Sequence, residues 1–330
     1  MVKETIALHE AGQRLDKYLH KYLPEASSSF LYKMLRKKNI TLNTGKAEGS
    51  EKLQTGDEVT LFLSDETINK FRGNHNTLDT AIAEYHKAYN VLKNRFQVVY
   101  EDANILLLNK SAGVLTQKAV DTDLSLNEAM IGYLLQTGAL HESMLTTFKP
   151  SVCNRLDRNT SGIVICGKSL AGLQCMSTLL KERTVHKFYR CIVIGQMTEP
   201  SHLEGYLTKN EHTNQVTITQ TATSDSSPII TNYRPLQSNG PLTLVEVELI
   251  TGKTHQIRAH LASVGYPILL DYKYGNRRIN QTYQNTYLVN SQLLHAYRVL
   301  FPILDGDFSS LSEKTFVAPL PTIFDTIMKG

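Results

Sequence analysis

Leu15, Tyr18, Leu19, Tyr22 and Leu23 recur at intervals of three and four, the spacing of one buried helical face. Ser27, Ser28 and Ser29 then precede Phe30 and Leu31. Serine oxygens cap helix N-termini, so a second helix is predicted there, packing Leu31, Met34 and Leu35 and turning Lys33, Arg36 and Lys37 outward. Residues 39–46 alternate apolar and polar through an Asn/Gly turn, and residues 53–63 follow; helix, helix, small hairpin is the reading for 1–63. Residues 64–90 are mostly polar without sustained alternation and read as a linker, although Ala81, Ile82, Ala83, Tyr85 and Ala88 allow one short helix packed on a neighbouring domain. From 91 to 330, β-like runs at 97–100, 105–109, 162–166, 188–194 and 242–249 alternate with single helical patches, which predicts a second domain of the mixed α+β class. Within the last run Glu246 and Glu248 alternate with valines and leucines and are expected to face solvent. Leu170, Leu173, Met176 and Leu180 predict a structural helix that Ser169 can cap.

Ahead of the run at 162–166 lies a polar turn, Asn154-Arg155-Leu156-Asp157-Arg158-Asn159-Thr160-Ser161-Gly162, which sets one carboxylate between two arginines. A guanidinium close to a carboxylate lowers its pKa by roughly 1–3 units, and an ionised carboxylate can act as nucleophile or base. Asp, Asn, Thr, Ser and Gly together also spell an ordinary turn, because their short side chains bond nearby backbone. The residues of this stretch alone support both readings.

The stretch resembles the H-R-L-D-x-x-T-S-G signature of the RluA family of RNA pseudouridine synthases, departing at Asn154, where the family usually has His. Two more segments follow in the family's order. His186-Lys187-Phe188-Tyr189-Arg190 is similar to its K-x-Y segment, and Thr251-Gly252-Lys253-Thr254-His255-Gln256-Ile257-Arg258-Ala259-His260 to T-G-[RK]-T-H-Q-I-R-x-H. Shorter pieces, among them Asn109-Lys110-Ser111-Ala112-Gly113, with Ser111 where Pro is common, and Asp271-Tyr272-Lys273-Tyr274-Gly275, carry the likeness from about residue 95 to the C-terminus. Residues 1–63 resemble the αL-motif RNA-binding domain, in which two helices present basic side chains to phosphates; here Lys33, Arg36, Lys37 and Lys38 form such a cluster with no acid among them.

The resemblance implies a helical and hairpin RNA-binding domain (1–63), a linker (64–90) and a synthase domain (91–330) with a mixed, mainly antiparallel sheet. It implies isomerisation of uridine in RNA without metal or cofactor: the bond from ribose to nitrogen breaks, the uracil rotates and a carbon–carbon bond forms. Asp157 then supplies the catalytic carboxylate, adding to ribose or base or removing a ribose proton. Arg258 pairs with it, Tyr189 stacks on the uracil, Arg155 fills the place of the flipped nucleotide, and Ile257 lines the pocket. Lys110, Lys187 and Lys253 are candidates to hold phosphates, against the alternative of structural or surface lysines. Asn154 cannot ionise as His can, and is expected to keep local hydrogen bonding to the turn. Ribosomal RNA of the large subunit is the implied substrate, with transfer RNA or an RNA-binding protein without turnover as alternatives, and a monomer is the implied form.

Composition narrows this picture only slightly. With 330 residues, 41% of them hydrophobic, the chain can bury a sizeable core. A net charge of +4 permits a polyanionic partner without requiring one. No apolar run approaches the roughly 20 residues of a membrane span, and the first residues lack a signal-peptide core, so cytoplasm is the expectation. Cys153, Cys166, Cys175 and Cys191 have irregular spacings and read as reduced thiols. His255, His260 and His295 lack a short ligand pair with an acidic partner and read as structural or phosphate-contacting groups, and not as zinc ligands. The Walker spacing is missing around Gly252-Lys253-Thr254, and no clustered carboxylates in the matched motifs suggest a metal-dependent nuclease.

Overall fold

A computed structural model describes residues 1–72 and 75–329. The first part of the chain runs β1 (Val2–Thr5), α1 (Leu15–Tyr22), α2 (Ser28–Arg36), β2 (Ile40–Leu42), β3 (Gly45–Lys46), β4 (Glu58–Leu61) and α3 (Asp65–Phe71). The five residues expected on the first helical face are all buried, as are Leu31, Met34 and Leu35 of α2. Ser27 accepts the Phe30 backbone N–H at 3.3 Å, so the cap falls inside the serine run. The four strands form a sheet in the order β1-β4-β2-β3, with β1 an addition to the expected hairpin.

The remainder comprises α4 (His75–Leu92), β5 (Phe96–Glu101), β6 (Ile105–Lys110), α5 (Leu126–Gln136), β7 (Ser151–Val152), β8 (Ser161–Gly167), α6 (Leu170–Glu182), β9 (His186–Ile194), β10 (Ser201–Asn210), β11 (Gln215–Thr219), β12 (Ser227–Ser238), β13 (Leu242–Leu249), α7 (Gln256–Ser263), α8 (Arg277–Tyr287), β14 (Leu294–Leu300), β15 (Thr315–Val317) and α9 (Thr322–Lys329). Its sheet is ordered β11-β10-β12-β13-β9-β14-β8-β6-β5, with β15 added to β14 and β7 to β8. Every pairing is antiparallel except β14 with β8. The expected α+β class with a mainly antiparallel sheet is what the chain adopts.

The stretch expected as a linker is instead helical on both sides of residues 73–74. Ile68 of α3 is buried in the first core and Phe71 packs on Phe30 with ring centroids 4.6 Å apart. Tyr85 and Ala88, with Ala81, Tyr89 and Leu92 beside them, turn one face of α4 into the second core, Ile82 is buried as well, and the polar residues that mask this period are largely turned away. Gly132 of α5 permits the close approach, since a Cβ there would lie 2.2 Å from the Tyr85 carbonyl oxygen.

Ile105 to Leu108 of β6 are fully buried because helices or loops cover both faces of the sheet there, hence an unbroken apolar run. In β13, Val245 and Val247 enter the core as alternation predicts. Glu246, expected in solvent, is buried: it accepts Arg234 Nη2 at 2.9 Å and lies within 4 Å of Arg190 and Arg298. Those two guanidiniums stack on Tyr297 and Phe188, 3.8 and 3.7 Å from the ring centroids. A charged aromatic layer therefore covers this side of the strand.

Candidate active site

Asp157 lies in the loop between β7 and β8, and the loop is fastened from several directions. Thr116 Oγ1 donates to the Leu156 carbonyl at 2.8 Å and accepts the Leu156 N–H at 3.1 Å. The Thr160 N–H donates to the Asp157 carbonyl at 3.1 Å, closing the turn. At the end of the motif Gly162 has φ +111°, and a Cβ would stand 2.3 Å from the Ala296 carbonyl oxygen; β14 can run beside β8 only past a glycine.

Lys110 secures the same loop from below. Its fully buried Nζ donates to the carbonyls of Val114 at 2.8 Å, Ser111 and Arg158 at 3.2 Å and Asp157 at 3.3 Å. Burial pushes its pKa down to about 7, against the pull of the Asp157 charge and with a smaller push from Arg95. A lysine so enclosed cannot reach a phosphate; of the two readings of Lys110, the structural one holds.

Arg258 arrives from α7. Its Nη1 donates to Asp157 Oδ2 at 2.8 Å, while Nε and Nη2 donate to Asp271 Oδ2 and Oδ1 at 2.7 and 2.9 Å. The Asp271 side chain is 0% exposed, that of Arg258 9% and that of Asp157 29%. One guanidinium thus takes a bidentate buried partner and a single bond to the accessible carboxylate. Burial works against the Arg258 charge, but Asp271 and Asp157 outweigh it and hold its pKa above the ordinary value. The sequence neighbours Arg155 and Arg158 form no ion pair with Asp157; the partner comes from 101 positions away.

The loop before α7 is shaped by Gln256, whose Oε1 accepts from Thr251 Oγ1 at 2.8 Å and the Lys253 N–H at 3.1 Å, and whose Nε2 donates to the Ile230 carbonyl at 3.0 Å. This folds 251–256 tightly, with His255 in the left-handed region at φ +53°, and puts Ile257 and Arg258 in the first turn of α7.

These pieces wall a cleft of about 760 Å³ that is lined by Asp157, Arg155, Tyr189, Lys187, Lys253 and Arg258. A smaller recess around Asp157 and Arg258 is mixed in character, with Leu156, Tyr189, Leu249, Ile257 and Leu294 beside Thr160, His255 and Gln256. Tyr189 sits mid-sheet, paired with Val247 and Ala296. Burial and then the Asp157 charge raise its pKa, which keeps the phenol protonated. Arg155 and Lys253 are exposed, whereas Lys187 is half-buried with its pKa lowered by burial and by Arg183. Asp157 is the sole acid among the lining residues, which include eight Lys or Arg side chains. A carboxylate in a cationic, partly apolar cleft suits an anionic polymer that presents one planar group.

The N-terminal cations Lys33, Arg36, Lys37 and Lys38 stand apart from this cleft, exposed along the end of α2 and beyond it. Asn154 keeps local hydrogen bonding, as expected, but to the strand: its Oδ1 accepts the Ile165 N–H of β8 at 2.7 Å. His260 and His295 are buried beside Thr231 and Ser161, at 3.0 and 2.8 Å, and are structural. Sequence reasoning assigned no part to Asp271, Tyr274 or Lys273, although all three lie in the quoted Asp271–Gly275 segment; an acid and a lysine in a Gly-ended loop look like turn residues until the fold brings Arg258 beside them. No group of three or more His, Cys, Asp or Glu side chains is arranged to hold a metal among the described residues, and none of their helices is long and apolar enough to cross a membrane.

Comparison with known proteins gives the same direction. The family described as RNA pseudouridylate synthase matches residues 104–263. A ribosomal large subunit pseudouridine synthase C of Pasteurella multocida is 31% identical over 306 residues, spanning 90% of this chain and 85% of its own. One of the same name from Rickettsia prowazekii is 34% identical over 270 residues, 81% and 83% of the two chains. Among solved structures, human RNA pseudouridylate synthase domain containing 4 shares the fold, with a TM-score of 0.57 at 20% identity over 74% of this chain and 95% of that one.

Proposed function

The chain belongs to the RluA family of RNA pseudouridine synthases, which are isomerases, and from that premise we propose that Asp157 is its catalytic carboxylate and large-subunit ribosomal RNA its substrate. The observation that carries the reading is the Asp157–Arg258–Asp271 chain: Asp271 satisfies the buried guanidinium, and Arg258 fixes one oxygen of an accessible carboxylate. Asp157 Oδ1, without a hydrogen bond among the described residues, is then the oxygen that meets the nucleotide.

A uridine must leave its stack to reach the recess around Asp157 and Arg258. Tyr189 offers it a stacking face and Ile257 a wall, while Arg155, at the exposed rim and unpaired among the described residues, takes the vacated place. Lys187 and Lys253 lie along the same cleft to meet phosphates. No step requires a metal or an organic cofactor, since the base is detached, turned and rejoined without net oxidation. Substrate choice follows from the names of the relatives, which are ribosomal large-subunit enzymes. Residues 1–63, with α3 packed on them, are the RNA-binding unit and residues from 91 on, with α4 packed on them, the synthase unit of a cytoplasmic monomer, with Lys33, Arg36, Lys37 and Lys38 meeting phosphates away from the site.

Purified protein incubated with unmodified ribosomal and transfer RNA, followed by nucleoside mass spectrometry and site mapping, tests this. Wild type yields pseudouridine in large-subunit RNA and Asp157→Asn yields none while remaining folded and RNA-bound. Product from Asp157→Asn at the wild-type rate refutes the assignment of the carboxylate, and product confined to transfer RNA refutes the substrate.

A further inference from the structure

We propose that Tyr274 is a positioning residue that fixes His255 as the Nε2–H tautomer, so that His255 gives Asp157 a second hydrogen bond when RNA fills the cleft. The proposal rests on the reading of Asp157 as the catalytic carboxylate.

The hydrogen-bond directions follow from one backbone group. The Val216 N–H can only donate, and it donates to Tyr274 Oη at 2.9 Å. The single phenolic proton is left for the other neighbour, His255 Nδ1, also 2.9 Å away. With Nδ1 as the acceptor all three groups are paired, whereas the other tautomer leaves the phenolic proton without a partner among the described residues; the favoured neutral imidazole therefore carries its proton on Nε2. That nitrogen stands 3.8 Å from Asp157 Oδ2. The separation is too long for a hydrogen bond, but catalytic contacts of this kind tighten as a substrate complex forms.

Geometry restrains the ring as well as the tautomer. His255 is the left-handed residue ahead of α7, and its ring meets Tyr274 edge-on with centroids 5.7 Å apart. Tyr274 also carries the Arg258 guanidinium over its face at 5.3 Å, so one aromatic ring contacts both side chains that approach Asp157 Oδ2. The charged and titratable groups facing His255 are Asp157, Arg258, Lys273, Asp271 and Tyr274. Burial, with Arg258 and Lys273, outweighs the two carboxylates and favours the neutral imidazole. With Arg258 and His255 both aimed at Oδ2, the charge of Asp157 is held on one side and Oδ1 stays open for the uridine.

The device links the chemistry to an edge of the sheet. Val216 belongs to β11, and Lys273 Nζ donates to the Thr213 and Asn214 carbonyls at 3.2 and 2.6 Å in the turn between β10 and β11. Displacing that hairpin would withdraw the Val216 N–H donor that orients the phenol.

Single-turnover and steady-state pseudouridine formation by wild type, His255→Leu, His255→Gln and Tyr274→Phe at pH 6 and pH 8 tests the proposal, with thermal melts to confirm folding. His255→Leu should lower kcat roughly 10- to 100-fold, the factor that a hydrogen bond to a charged group represents, with KM little changed. His255→Gln should recover part of that loss, because its amide N–H reaches the Nε2 position. Tyr274→Phe keeps the ring but releases the tautomer, so its deficit against wild type should be larger at pH 8, where the neutral ring can place its proton on Nδ1, and shrink toward pH 6, where a protonated ring carries Nε2–H regardless. If His255→Leu does not fold, His255→Asn, whose amide reaches only the Nδ1 position, replaces it and should fall below His255→Gln. Wild-type kcat in His255→Leu, no advantage of Gln, or a Tyr274→Phe deficit equal at both pH values overturns the proposal. An inactive wild type would instead refute the functional reading beneath it.

Discussion

The cations of the cleft and those of α2 have opposite surroundings. Arg258 and Lys110 are buried, and every donor direction they use ends on a carboxylate or a carbonyl. Lys33, Arg36, Lys37 and Lys38 are exposed and have no acidic partner among the described residues. Burying a charge is costly unless pairing and hydrogen bonds offset it, whereas a solvated lysine costs little and acts at a distance. The difference teaches where each kind of charge can serve: enclosed cations fix the geometry of one carboxylate, and open ones supply affinity for a polyanion whatever its sequence.

Removing a partner from the enclosed set should give the largest effect. Asp271→Asn leaves the Arg258 guanidinium buried with its bidentate acceptor gone, and breaking such a pair costs about 3–5 kcal/mol. Chemical denaturation should show that loss of stability, and pseudouridine formation should fall while RNA affinity holds. Near-wild-type stability and kcat would mean that Arg258 does not depend on Asp271 and that the cleft cations are no more interdependent than those of α2.

Lys110 sharpens the contrast through pH. An unfolded lysine keeps its proton to about 10.4, while the folded group releases it at about 7. Between those values the unfolded chain binds more protons, so this group makes the protein more stable as pH rises from 7 toward 10, and below 7 its contribution is constant. Denaturation midpoints at pH 7 and 9 should therefore rise more for wild type than for Lys110→Met. The same slope in both proteins would refute the depressed lysine. Any of the four exposed lysines and arginines of α2 and its end should leave that slope unaltered when replaced.

This contrast also sets what could be read from the sequence. The two helices of residues 15–36 and the strand runs were legible because their apolar periods are strong and each buries one face. Asp157, Tyr189 and Arg258 were legible through motif order, and the fold brings them into one cleft. Lys110 looked ambiguous because a buried lysine and a phosphate-binding one have the same local sequence; only the convergence of four carbonyls separates them. Glu246 misled by its alternation, since three arginines from neighbouring strands cover the face that pattern assigns to solvent. Helix α4 was legible only as a short piece around Ala81 to Ala88, because its polar composition hid its full length; its packing face is Tyr85 and Ala88 with Ala81, Tyr89 and Leu92, set against a glycine on α5.

The smallest effect, and the one that separates the two regions most cleanly, should come from the exposed cluster. Replacing Lys33, Arg36, Lys37 and Lys38 by Gln removes four charges without touching the first core, so stability should change little. If each side chain meets a phosphate, the slope of log affinity against log salt should fall by about 0.7 for every phosphate of single-stranded RNA that is no longer neutralised. Single-turnover rates at saturating RNA should stay at the wild-type value, because none of these side chains lines the cleft. Filter-binding titrations across a range of salt, paired with those rates, decide the matter. An unaltered slope would show that α2 is a solvated surface, and a fall in the saturated rate would show that the four charges act on the chemistry, which the separation of the two regions does not allow.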